Sequence, residues 1–381
     1  KDAGVGGNGT SAGTGYRNIG IGYSTFGGFT NPSQLTGGSN TGLGSYIYVN
    51  SGGTMSGSMN TAIGQSLYTM MNGGNMAGER NIALGIYSFE FHKTNAQFPY
   101  TASYNIGIGY RAFHFQNGDF SGMSNIGMGS NLYNLVSGNL EGSYNIGIGR
   151  QSYYVNQGNI TNTANNNIAL GNSIYRLSNP STSTFSGDNN IGIGNILYNL
   201  HIGDLAGQRN IGMGYDVFDI SSGDFSGDDN IGIGSYAMRT AGDFLGKENI
   251  GIGNNAMNAS GGIAGNYNIA LGHQNMYTNG KIAGTDNIAI GFSVLQPTTS
   301  TDIGSYNIGI GNWALYADMA KGNANIQLGN WYVGTPVAGQ LNNVVAIGNE
   351  MNGLGITNTD SNTILLGKRG SDGPKVGIGT Y

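Results

Sequence analysis

A chain of 381 residues with 71 glycines, 9% charged residues and no cysteine excludes several classes at once. The glycine follows neither the three-residue period nor the proline content of collagen, its apolar residues are too regularly placed for a disordered linker, and disulfide frameworks and thiolate metal sites are ruled out. A net charge of −5 with scattered Lys and Arg gives no basic stripe for nucleic acid, and no apolar run reaches the length of a membrane span.

The first predicted element is the pentad Asn18-Ile19-Gly20-Ile21-Gly22, and it recurs to the end of the chain. Its last glycine returns at Gly44, Gly64, Gly85 and Gly109, and so on to Gly348, Gly367 and Gly379, giving 19 copies mostly 18 to 24 residues apart. Each position has its own chemistry. The first is Asn in 16 copies, with Val344, Thr363 and Lys375 replacing it at the end. The second is Ile or Val except at Thr41 and Thr61, and the third is Gly or Ala except at Gln327 and Leu365. The fourth is aliphatic and the fifth always Gly.

Two apolar columns accompany the pentad. Four residues after its last glycine stand Phe26, Tyr68, Phe89, Phe113 and their successors as far as Leu315. Nine residues before it stand Met55, Met76, Leu205, Phe225, Phe244, Ile263 and Ile282. A helix would need three- and four-residue apolar spacing without glycine at every turn. Alternation punctuated by glycine predicts about two short strands and two or more turns per unit. Such a unit cannot bury its apolar side alone, whereas stacked copies form a continuous core.

The expectation is therefore an all-β parallel β-solenoid of about 19 coils of roughly 20 residues. It is a single continuous array over residues 1–381, closed by a shortened coil at 368–381. Coils about 4.8 Å apart would make a rod of roughly 90 Å. Asn side chains stacked at one corner are expected to hydrogen-bond as a ladder.

Within the pentad the alternation predicts that the isoleucines face the core and the glycines face outward. That makes Gly107, Gly127, Gly147, Gly192, Gly212, Gly232 and Gly251 a smooth oligomer face, because glycine suits a place where another backbone approaches closely. The competing reading is crowding inside a tight coil, or an unusual φ at the fifth position. Longer coils predict loops at 27–37, 91–104, 156–166 and 178–187, rich in Asn, Ser, Thr and Tyr.

Asp204, Asp224 and Asp243 fall in one column of three consecutive coils, a hydrated acidic column or a calcium site with oxygen ligands. Next to it, Arg209 stacks against Asp229 and Asp228 against Lys247, cross-coil pairs that set register. Trp313 and Trp331 share a column in adjacent coils, either an aromatic platform for sugar rings or a packed contact. The four histidines and the acidic residues assemble no catalytic triad or metal cluster, so the sequence predicts no enzyme, no resident metal and no cofactor, calcium aside.

The stretches NTAIGQSLYTM (60–70), NIGIGYRAF (105–113) and NIGIGNWALY (307–316) resemble the repeats of bacteriophage tail-fibre proteins and of YadA-like trimeric adhesin heads. The closing KVGIGT (375–380) is similar to the segment that precedes an intramolecular chaperone in such fibres. The resemblance implies a homotrimeric fibre, extracellular or on a virion or cell surface, that attaches to a glycan or protein receptor without entering the membrane. A coil near 20 residues is longer than the usual adhesin repeat. The alternative reading is a subunit of a self-assembling extracellular filament or surface layer.

Overall fold

The computed structural model describes residues 15–27, 35–49, 54–71, 75–89, 91–92, 101–116, 121–132, 139–151, 155–156, 161–174, 177–178, 186–198, 204–220, 222–297, 302–316, 320–330, 342–348, 362 and 364–366. The chain divides into two compact units, residues 1–206 and 207–381. Each is built from the same coil.

In the first unit the pentads form the strands Ile19–Ile21, Thr41–Ser45, Thr61–Gln65, Ile82–Ile86, Ile106–Tyr110, Ile126–Ser130, Ile146–Arg150, Ile168–Ile174 and Ile191–Leu197. In the second they form Ile211–Tyr215, Ile231–Ser235, Ile250–Ile252, Ile269–His273, Ile288–Phe292, Ile308–Asn312, Ile326–Leu328, Val345–Ile347 and Ile364–Leu366. Successive strands pair in parallel without slip: Ile231 lies beside Ile250, Gly232 beside Gly251 and Ile233 beside Ile252. The fold is a parallel β-solenoid. It has 18 pentad strands where the sequence predicted 19; the last pentad, 375–379, and the coil at 368–381 lie outside the described residues.

Two further ladders complete the coil, so it has three pairing positions rather than about two strands. One follows the pentad: Met70–Met71, Phe91–His92 and Phe115–Gln116 pair in the first unit, and Ile220, Thr240, Ala259 and Thr278 bridge in the second. The other is the predicted column before the pentad, with bridges Leu35–Met55–Met76 and Phe225–Phe244–Ile263–Ile282. Leu35, Met55 and Met76 are buried in the first unit, as are Phe225, Phe244, Ile263 and Ile282 in the second.

The Asn at the head of the pentad makes the ladder that its spacing predicts. Asn249 is typical and fully buried. Its N–H and its Nδ2 both donate to Asn230 Oδ1, at 2.9 and 3.1 Å, and Nδ2 also donates to the Gly265 carbonyl at 2.9 Å. Its own Oδ1 accepts the N–H and Nδ2 of Asn268 at 2.9 and 3.0 Å. Every polar group of the side chain is paired, which is why an amide can be buried in each coil. The ladder ends at Val344, whose N–H donates to Asn325 Oδ1.

The direction of the pentad side chains is the main correction. Gly107, Gly127, Gly147, Gly192, Gly212, Gly232 and Gly251 are buried and point into the core, while the flanking aliphatic residues point out. The cause is the column four residues past the pentad. At the corner the chain turns through left-handed residues, Tyr68 at φ 49° and Phe89 at φ 58°, which send these rings beneath the pentad strands. A Cβ on Gly107 would stand 2.8 Å from the Phe89 ring, and one on Gly232 would stand 2.6 Å from Val217 Cγ1. Large side chains at the corner therefore demand small ones in the strand. The smooth outward oligomer face does not exist.

In the first unit the corner column is a stack of rings, Phe26, Tyr48, Tyr68, Phe89 and Phe113, with centroids 4.8 to 5.1 Å apart and planes within 17°. In the second unit that column starts with Phe218 and continues as Met238, Met257, Met276, Leu295 and Leu315, all buried. Aromatic mass moves to the other column instead: Phe225 stacks on Phe244 at 4.8 Å, and Phe218 meets both edge-on. Gln327, the polar exception at the third pentad position, is buried because its Oε1 accepts the Leu315 N–H at 2.7 Å. In the preceding coils a backbone carbonyl of the next coil does that work, as Ala314 does for Leu295.

Candidate functional site

With glycine turned inward, the outer side of each pentad ladder carries two columns of aliphatic side chains. The second pentad position is half-buried in most coils, and the fourth is more open: Ile148 is 39% exposed, Ile252 38% and Ile310 39%, with Ile63, Met128, Met213 and Ile347 alike. Among the described residues this face stays partly open to solvent along its length. It is regular because consecutive strands keep one register and because the inward residue is Gly or Ala in all but two coils.

Beyond the face lies the corner formed by the two residues after the pentad. Its backbone is as regular as the strand: Tyr236, Asn255, Gln274, Ser293 and Trp313 each donate their N–H to a carbonyl of the preceding coil, at 2.7 to 2.9 Å. In the second unit the corner carries aromatic groups at two places. Tyr215 and Tyr236 meet edge-on with centroids 5.5 Å apart, and the Arg239 guanidinium lies 5.6 Å from the Tyr236 ring centroid. Farther along, His273 stacks on Phe292 at 5.0 Å with planes 3° apart, and Trp313 stands perpendicular to Phe292 at 5.4 Å. The first unit has related pairs, Tyr23 with Tyr46 and Tyr87 with Tyr110, the latter under Arg111.

Of the two tryptophans singled out by sequence, Trp313 thus belongs to this corner, whereas Trp331 lies outside the described residues. Its aromatic neighbours Phe292 and His273 escaped the sequence reading because they sit one position earlier in their coils than Trp313 does.

The acidic column has a structural duty. In the second unit Asp243 Oδ1 accepts the Asp224 backbone N–H at 3.1 Å. Asp302 does the same for Lys281, and in the first unit Asn75 does so for Thr54. Asp204 belongs to the first unit and Asp224 and Asp243 to the second. Among the described residues no three metal-ligating side chains come together. The predicted ion pairs form: Arg209 grips Asp229 through two hydrogen bonds of 2.6 and 2.7 Å, and Lys247 reaches Asp228 at 2.8 Å. The guanidinium holds the Asp229 carboxyl below its ordinary range. All four are at least partly solvated, so the pairs help to set register more than they add stability.

A second acidic group was not legible in the sequence. Asp216, at the corner beside Tyr215, is buried, and among the described residues no hydrogen bond ends on its carboxylate. Burial raises its pKa, the neighbouring Asp219 raises it further, and Arg239, 3.5 Å from Asp219, only partly offsets this. A carboxyl whose folded pKa lies above its unfolded one destabilises the fold while ionised, and the penalty disappears as pH falls through the raised value. Asp216→Asn is therefore expected to raise the melting temperature at neutral pH. The gain should vanish in acid below the ordinary Asp range, as melting curves across a pH series will read.

No family model, no curated protein and no solved structure matches the chain. The fold and its surface define a β-solenoid repeat protein with a partly open aliphatic sheet face and an aromatic, amide-bearing corner.

Proposed function

We propose that the protein is a non-enzymatic structural component of a surface-exposed fibre, of the tail-fibre or exported-adhesin kind, that joins with further copies of itself and attaches to a receptor. The observation that carries this reading is the open aliphatic face. Two columns of mostly Ile, Leu and Met along nine strands in each unit leave a long run of partly exposed apolar side chains, the kind of contiguous patch that marks an interaction site. A second copy bearing the same face is the partner that covers it on equal terms, as the self-complementary patch of a symmetric interface does. Constant register favours this partner, since identical ladders offer each other the same spacing. The likeness of NIGIG repeats to fibre and adhesin repeats supports the same reading.

The test is the mass of the full chain in solution. The native protein is expected to sediment as an oligomer, and Ile252→Lys/Ile310→Lys is expected to shift it to the monomer without changing its circular dichroism. A native chain that stays monomeric at micromolar concentration, or a double variant of unchanged mass, overturns the proposal. Micrographs of the same material separate short discrete fibres from the indefinitely long filaments of the alternative reading.

A further inference from the structure

We propose that the corner after the pentad in the second unit is a carbohydrate-binding edge. A glycan lies along the stacking direction there, with sugar rings against Tyr215, His273, Phe292 and Trp313 and hydroxyl groups donating to Asp216. The inference rests on the attachment role proposed above and names the chemistry that is attached.

A sugar ring has an apolar C–H face and a rim of hydroxyls. It is recognised by an aromatic ring that supplies a flat apolar surface, flanked by groups that accept and donate hydrogen bonds. This edge has both in order. Tyr215 and Asp216 open it, and Tyr236 follows one coil later. Asn254 then continues the exposed edge with an amide, His273 and Phe292 stand on the next two coils, and Trp313 follows. Asn312 is exposed beside Trp313. From Tyr215 to Trp313 the edge crosses five coil steps, about 24 Å at strand spacing, which is a span for several sugars rather than one.

Orientation supports a chain lying lengthwise. His273 and Phe292 stack face to face from coil to coil, so their planes lie across the stacking direction. Trp313 is turned 89° from Phe292, which sets its indole plane along that direction and gives the edge one long flat surface. Tyrosine and tryptophan join an apolar body to a polar tip, as a partly wet site needs.

Asp216 is the hydrogen-bonding anchor. Among the described residues no hydrogen bond ends on its carboxylate, so its oxygens are available to accept from a ligand lying on the edge. Sugar hydroxyls are donors that a carboxylate accepts strongly. A protein receptor also uses aromatic anchors, but a row of rings on successive coils, interrupted by the exposed amides of Asn254 and Asn312, fits a linear polymer of small polar rings better.

The experiment is affinity electrophoresis of the full chain through gels containing a β-1,3-glucan, a β-1,4-mannan, an α-1,4-glucan or alginate. At least one neutral polymer is expected to retard the native protein, and Phe292→Ala/Trp313→Ala to weaken that association tenfold or more. Phe292→Tyr should keep it, because the ring remains. Asp216→Asn should weaken it while raising the melting temperature, a combination that a purely structural role does not give. Free migration of the native chain in all four gels, or equal retardation of the double alanine variant, overturns the inference. The failures are separable: a monomeric chain that is still retarded sinks the assembly reading alone, and an oligomer that migrates freely sinks this one alone.

Discussion

Gly214→Ala is expected to destabilise the second unit by more than about 3 kcal/mol, whereas Gly251→Ala should cost about 1 kcal/mol. Both replace a pentad glycine with the smallest side chain, yet they meet different obstacles. Gly214, at the fifth position, holds φ 137°, a region outside the reach of L side chains, and its added Cβ collides with the carbonyl oxygen of Gly234 on the next coil. That oxygen is backbone, so relief requires the two coils to part. Gly251, at the third position, would direct its Cβ at Met238 Cγ, 2.6 Å away, and a flexible thioether can swing aside. The sequence already separates the two sites, since Ala270 and Ala289 occupy the third position while no copy carries anything but Gly at the fifth. Hydrogen exchange of the pentad amides reads the difference locally, which matters in an array where coils can open separately. Equal loss of protection in the two variants would contradict the assignment.

The features visible in the sequence were those that repeat with the coil. Aligning on the last pentad glycine is enough to place Ile231 beside Ile250, to stack Asn230 on Asn249 and to bring Arg209 to Asp229, because parallel pairing without slip turns a column of the alignment into a row in space. What alternation cannot tell is which side of a strand is inside. Both sides of NIGIG are regular, and the aliphatic one looks like core by its chemistry alone. The deciding fact lies four residues on, where the left-handed backbone of Tyr68 and Phe89 turns their rings under the strand and fills the space. A uniform run of Gly and Ala opposite a uniform run of large side chains was the available signal of that complementarity. The candidate site was half legible for a related reason. Trp313 stood out by rarity, but its contact with Phe292 crosses between columns, and the exposure of Ile148 and Ile252 follows from the direction the sequence left open.

Asn249→Ala is the second large effect, expected to cost about 2–6 kcal/mol, because it orphans two buried groups at about 1–3 kcal/mol each. The Asn268 N–H loses its acceptor and the Gly265 carbonyl loses its donor, while water cannot reach either. Asn249→Asp is nearly the same size and should be worse at neutral pH. Where Nδ2 donates to Asn230 Oδ1 and Gly265 O, a carboxylate oxygen would face two acceptors, so the folded state holds the group protonated and its pKa rises above the unfolded value. Stability of this variant must then increase as pH falls through the raised value, and level off below about 3.9, where both states carry the proton. One proton donates only one of the two lost hydrogen bonds, so acid restores part of the deficit and leaves the rest. Melting curves of Asn249→Ala and Asn249→Asp between neutral and acid pH separate the terms: the alanine variant lacks the added rise and the aspartate variant gains stability on acidification. Parallel pH profiles for the two would mean that the ladder is solvated, and with it the buried amide column that keeps successive coils in register.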